Sequence, residues 1–251
     1  MVALDFPPIS QLTVWRTLFG HGVFAVNKVV LLEWLAALIV FAFFFVASRR
    51  QRLVPRGVQN AAEVLVEFIQ NGIILDTIGP EGLAFTPLLL TLFSFIFVCD
   101  IFEVIPVIQM PVTARMGLPL FMTAIVFVLY NVVGVRSQGV AGYVKSSLVP
   151  PGVPAAFVPL VALNHAVQML FARPFSLAVR LFANLLAGHL LLVTFSLLSA
   201  ALFSATYIGA VIPGALLVAL YAFEVLVAVL QAFIFTMLTA VYIGGAMHPE
   251  H

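Results

Sequence analysis

Five polar side chains stand out in the second half of this chain: Arg180, Asn184 and His189 in one long apolar stretch, Glu224 and Gln231 in the next. Residues 181–223 hold no Asp, Glu, Lys or Arg, so Arg180 heads the longest uncharged run in the sequence. A guanidinium keeps its proton up to a pH of about 12 and, unlike a lysine, does not escape apolar surroundings by neutralising. A charge costing roughly 2.5–3.5 kcal/mol to insert is expected to serve a function.

On an α-helix, Arg180 and Asn184 share a face while His189 points the opposite way. Glu224 and Gln231, seven residues apart, also share a face. If the two stretches form an antiparallel hairpin turning at Ser204, Ala205 and Thr206, Arg180 matches Gln231 in depth and His189 matches Glu224. Histidine and glutamate are readily tuned to exchange protons near neutral pH, which makes the second pair a candidate proton relay. The bland reading is a hydrogen-bonded clamp between two helices. For Arg180 it is a charge neutralised by helix carbonyls or by Glu224. Asp100 and Glu103, three apart near the far end of an earlier apolar segment, either line an aqueous entry or reach the headgroups. Asn164, His165 and Gln168 form a further polar patch, read as packing.

The elements that must position these groups are membrane helices. Of 251 residues, 63% are hydrophobic and 8% charged, against about 25% charged in soluble domains. The fold class expected is an all-α integral membrane protein with about five transmembrane spans, one amphipathic surface helix and a final hairpin of two long tilted helices. Residues 29–47 are a first span, broken only by Glu33, which is placed near the outer interface. Arg49, Arg50, Arg52 and Arg56 follow at once and mark a cytoplasmic end, so the N-terminus is expected outside and the C-terminus cytoplasmic. Over residues 59–75, Asn60, Glu63, Glu67 and Gln70 or Asn71 recur at helical spacing opposite Val64, Phe68, Ile69 and Ile73, the pattern of a helix on the membrane surface or, more blandly, of a short soluble-facing packing helix. Spans at 84–108 and 118–134 flank a short loop with Pro111 and Arg115, and Pro150, Pro151 and Pro154 break the chain before the apolar stretches 156–203 and 208–247. One membrane domain results, 1–251. Its parts are a tail and first span (1–48), a cytoplasmic amphipathic segment (49–83), a helical pair (84–135), a cytoplasmic connection (136–155) and the long hairpin (156–251).

Several functions are excluded. A net charge of +1 gives no support for nucleic-acid binding. The histidines are scattered and Cys99 has no partner at ligand spacing, so neither a metal nor another cofactor is expected. No glycine loop joins a strand to a helix, so this chain is not expected to hydrolyse nucleotide. Residues 1–10, with Pro7 and Pro8, lack the pattern of a signal peptide, and insertion is expected to use the first hydrophobic helix.

The run Arg173-Pro174-Phe175-Ser176-Leu177-Ala178-Val179-Arg180-Leu181-Phe182-Ala183-Asn184-Leu185-Leu186-Ala187-Gly188-His189 closely resembles the signature of subunit a of F-type ATP synthases. The later run from Leu230 and Gln231 to Tyr242 is similar to that family's last helix. Asp100, Glu103 and Pro106, and Gly139, Gly142, Tyr143 and Lys145, extend the likeness over most of the chain after the first span. The resemblance implies a stator subunit that is not an enzyme by itself, delivering protons to carboxylates on a ring of c subunits through two offset half-channels. Arg180 would face the ring and separate the half-channels, with Asn184 and Gln231 flanking it. His189, Glu224 and Glu103, with Asp100 nearby, would belong to the outer half-channel. The partners implied are the c-subunit ring, b-type peripheral stalk subunits, the rest of the F1Fo complex and membrane lipid, in a bacterial inner membrane. Many relatives carry Glu fourteen residues before the arginine where this chain has Ala166, so His165 or Asn164 is expected to stand in on the cytoplasmic side. Two other classes compete: a secondary transporter with Arg180 binding an anionic substrate, and a structural anchor. The first predicts internal repeats, which the sequence lacks.

Overall fold

The computed structural model describes residues 17–19, 26–49, 52–105, 108, 112–148, 154, 157–205 and 207–248. The expectations placed on Pro7, Pro8, Arg50, Pro106, Pro111, Pro150, Pro151 and Thr206 lie outside these. Two short antiparallel strands, β1 (Thr17–Phe19) and β2 (Val26–Asn27), precede the helices. Asn27 then accepts the Val30 N–H through its side-chain oxygen at 3.1 Å, capping α1 (Lys28–Arg49). Trp34, Leu38 and Phe41 of α1 are exposed, as on a helix that meets lipid rather than water.

The amphipathic segment is α2 (Val58–Ile69), continued by a π turn at Gln70–Ile74 and a last turn at Leu75–Thr77. Its faces differ from the expected pair. Ala62, Ile69 and Ile73 are buried, the partly exposed Phe68 ring packs against Phe93 and Phe233 at 5.8 and 5.9 Å, Glu63 and Glu67 are exposed on a second face, and Val64 is exposed on a third. A helix in a membrane interface meets protein, water and lipid, so apolar residues divide between two of the three surroundings.

A 3₁₀ turn (Pro80–Phe85) leads into α3 (Thr86–Val104). This helix stops at Val104 rather than at 108, two residues before Pro106, whose missing N–H disfavours continuation. α4 (Gly117–Leu148) runs past the expected end at 134 into the connection, with a break at Gly139, where φ is 74°. Only glycine adopts that conformation at no cost. After the break, the Tyr143 ring packs on Gly134, and its hydroxyl donates to the Asn131 side chain at 3.1 Å. The first apolar stretch is α5 (Val158–Val167), a π turn at Gln168–Ala172 and α6 (Arg173–Ala205). Pro174, lacking an N–H, follows directly on that turn, where the helical ladder must adjust. The second stretch is α7 (Tyr207–Met247).

Among the described residues, five helical segments are long and apolar enough to cross a membrane: Lys28–Arg49, Pro80–Val104, Gly117–Leu148, Val158–Phe203 and Val211–Met247. By packing, the chain forms two compact units. One comprises Met1–Ala42, Ser94–Arg115 and Leu181–Ala232; the other comprises Phe43–Phe93, Met116–Arg180 and Phe233–His251. The first is centred on Ala36, Ile96, Cys99, Phe102, Leu185 and Ala228, and Cys99 is a fully buried free thiol among them. The second is centred on Ile69, Leu89, Tyr130, Leu177, Phe235 and Ile243.

Candidate functional site

Within the first unit, α6 and α7 run antiparallel. Ser199 lies against Gly214, Gly188 against Glu224, and the Asn184 side-chain amide donates to Gln231 Oε1 at 2.7 Å. The three contacts are spaced almost evenly about the junction where α6 ends at Ala205 and α7 begins at Tyr207. Gln231 thus pairs with Asn184, which lies one helical turn beyond Arg180 on α6. Equal depth does not fix which way a side chain faces, and one turn of a helix spans 5.4 Å.

The buried charge of this unit is concentrated where α3 meets the hairpin. Glu103 and Asp100 are each 2% exposed, Glu224 6% and His189 7%. Nδ1 of His189 lies 3.6 Å from Oε1 of Glu103. The acid that His189 meets is therefore on α3, not Glu224 on α7. Glu224 is close by, within electrostatic reach of both Glu103 and Asp100, its carboxyl group resting on the backbone of Gly188. Asp100 accepts the Thr113 hydroxyl at 3.0 Å. Its other oxygen, and Oε1 of Glu103, have no hydrogen-bond partner among the described residues. Glu33 lies within electrostatic reach of Arg115.

A cavity of about 150 Å³ opens on this cluster, lined by Glu103, His189, Leu192, Val193, Ser196 and Tyr221. The α6 residues of its wall step from His189 towards the hairpin turn. Glu103, His189, Ser196 and Tyr221 give the wall polar groups, and the volume leaves room for several waters.

Arg180 is half-buried and forms no ion pair among the described residues. Ser176, Ala183, Asn184 and Ala187, three to seven residues away on its side of α6, are exposed. Along this face of α6 the exposed side chains that flank Arg180 in the sequence are small, a surface that another helix can approach closely. Further along the chain, Gln168 donates to Asn164 at 2.6 Å on an exposed surface. His165 and Ala166 are half-buried. No group of three or more metal-binding side chains occurs among the described residues.

Three contributors escaped sequence reasoning. Gly188 was visible only as a member of the motif that ends in His189. Thr113 and Tyr221 carry no local signal, because nothing in their neighbours indicates a polar cluster reached through the fold.

Span-length helices, with carboxylates and a histidine buried among those of the first unit, define a multi-pass α-helical membrane protein with an intramembrane polar site. The family model of the ATP synthase A chain matches residues 30–244. The chain is 41% identical to ATP synthase subunit a of Parafrankia sp. over 226 residues, 89% of this chain and 77% of that protein. It is 37% identical to the Rhodococcus erythropolis subunit over 260 residues, covering 98% and 88%. To that of Bradyrhizobium diazoefficiens it is 39% identical over 262 residues, covering 99% and 100%. The chain belongs to the ATP synthase A chain family, a membrane component rather than an enzyme by itself. That membership sets aside the self-contained transporter.

Proposed function

We propose that this chain is the proton-translocating stator subunit of the Fo motor of an ATP synthase, facing a ring of c subunits and held by b-type stalk subunits. It sits in a bacterial inner membrane with its N-terminus outside and its C-terminus cytoplasmic. The observation that carries the reading is a half-buried Arg180 without an acid partner among the described residues, on the same helix as a buried His189 that meets Glu103 beside a cavity. The cavity and the Glu103, His189 and Glu224 cluster, with Asp100 beside it, form the outer half-channel. Arg180 separates it from a cytoplasmic path that begins near Asn164 and His165.

The chemistry follows from one permanent charge. A ring carboxylate that comes within about 4–6 Å of Arg180 is favoured in its ionised form. It must therefore have released its proton to the cytoplasmic path before it passes, and it takes a new one from the Glu224 side afterwards. Asn184 and Gln231, hydrogen-bonded to each other, hold the polar surface next to the guanidinium. Each proton crossing 100 mV yields about 2.3 kcal/mol, which turns the ring only if the two paths do not connect. An arginine blocks that leak at every physiological pH.

The test is pH-gradient dye quenching in vesicles containing the whole complex. Arg180→Ala is expected to abolish ATP-driven proton pumping while the complex still assembles. Normal pumping in that variant refutes the gate.

A further inference from the structure

The arginine-rich end of α1 and the start of α2 enclose an open cavity of about 640 Å³. Phe44, Ala47, Leu53, Ala62 and Val66 give it apolar walls, and Arg52 also lines it. A second cavity of about 260 Å³ adjoins the first, sharing Ala47, Arg52 and Gln59 and adding Arg56. Gln59 ties the corner together. Its Oε1 accepts the Arg52 N–H at 3.1 Å, and its Nε2 donates to the Arg52 carbonyl at 3.0 Å and to Glu63 Oε1 at 2.8 Å.

The backbone at Arg52 is thus pinned while its charge is not used. Neither Arg52 nor Arg56 has a carboxylate partner among the described residues. Glu63 lines the larger cavity, with one of its oxygens held by Gln59. Arg49 differs from both, since its guanidinium lies 5.3 Å over the Phe45 ring and lines neither cavity. Between the charges, Leu53 and Val54 are fully and largely exposed, an arrangement unfavourable in water and natural at a lipid interface.

We propose that these adjoining cavities bind an anionic phospholipid, with its phosphate between Arg52 and Arg56 and an acyl chain along the wall formed by Phe44, Ala62 and Val66. Charge complementarity selects the headgroup, because two unpaired guanidinium groups outweigh one engaged carboxylate. The apolar wall selects an amphiphile over a free anion. The position fits as well: α1 is a span-length apolar helix, so its end lies at headgroup level. None of this depends on the proton path.

The complete complex is reconstituted into nanodiscs of phosphatidylcholine with and without phosphatidylglycerol, and lipid retained on the chain is read by native mass spectrometry. Phosphatidylglycerol is expected to be retained over phosphatidylcholine. Arg52→Gln and Arg56→Gln are each expected to cut that preference about fivefold, Arg52→Lys to keep most of it, and Arg49→Gln to change it less than about twofold. Millimolar inorganic phosphate is expected not to displace the lipid. Equal loss in Arg49→Gln shows only general surface charge, and displacement by phosphate shows a free-anion site; either overturns the proposal. If the glutamine variants do not assemble, a photoreactive side chain at position 53 decides. Labelled phosphatidylglycerol upholds the site, and a labelled protein segment overturns it.

Discussion

Gly188→Ala separates the position of a proton-carrying group from its presence. A Cβ built at residue 188 falls 2.7 Å from the carboxyl carbon of Glu224, where carbon contacts normally lie at about 3.5–4.0 Å. The backbone of α6 does not yield, so the carboxyl group must retreat by about 1 Å. Alanine in a helix interior gains roughly 0.8–1.0 kcal/mol over glycine, and a carboxyl pushed off its rotamer costs about 0.5–1.5 kcal/mol. These nearly offset, so assembly and thermal stability are expected to change little. Proton transfer depends on donor and acceptor geometry, and a misplacement of about 1 Å costs up to ~10²-fold in rate. The expected result is at least a tenfold drop in ATP-driven acidification of vesicles, read by dye quenching, with normal complex yield. Glu224→Asp in the same chain, shorter by one methylene, is expected to restore part of the flux. Gly245→Ala, where the new Cβ meets nothing within 4 Å, is the control. Wild-type flux in Gly188→Ala refutes the placement of Glu224 in the path.

Glu224→Gln and Glu103→Gln are each expected to slow proton flux, because the first removes the group beside Gly188 and the second the acid that His189 meets; if Glu103→Gln pumps normally, the contact is structural. Gly244→Ala places a Cβ 2.7 Å from the Thr77 carbonyl oxygen, a backbone atom that cannot rotate away. It is expected to lose about 1–3 kcal/mol, whereas Gly245→Ala, its neighbour in α7, is expected to be neutral or slightly stabilising. Thermal unfolding of the two purified variants checks the contrast, and equal midpoints refute it.

The sequence by itself determined the helices. Apolar runs of span length show which stretches are helical, because a chain in lipid must satisfy its backbone internally whatever it packs against; the ends are less legible, since α3 stops at Val104 and α4 runs on to Leu148. The hairpin turn was legible for a related reason: polar residues at equal distances on either side of 204–206 are a one-dimensional pattern. Only the tertiary structure decided which side chains meet. His189 reaches Glu103 rather than Glu224, Asn184 takes Gln231, and Val64 of α2 is left exposed while Ile69 and Ile73 are buried. A helix's own sequence sets its periodicity, but its rotation and axial register come from packing against neighbours distant in the chain. Contacts such as Glu103 with His189, or Asp100 with Thr113, depend on shifts smaller than one 5.4 Å turn, which no local pattern encodes.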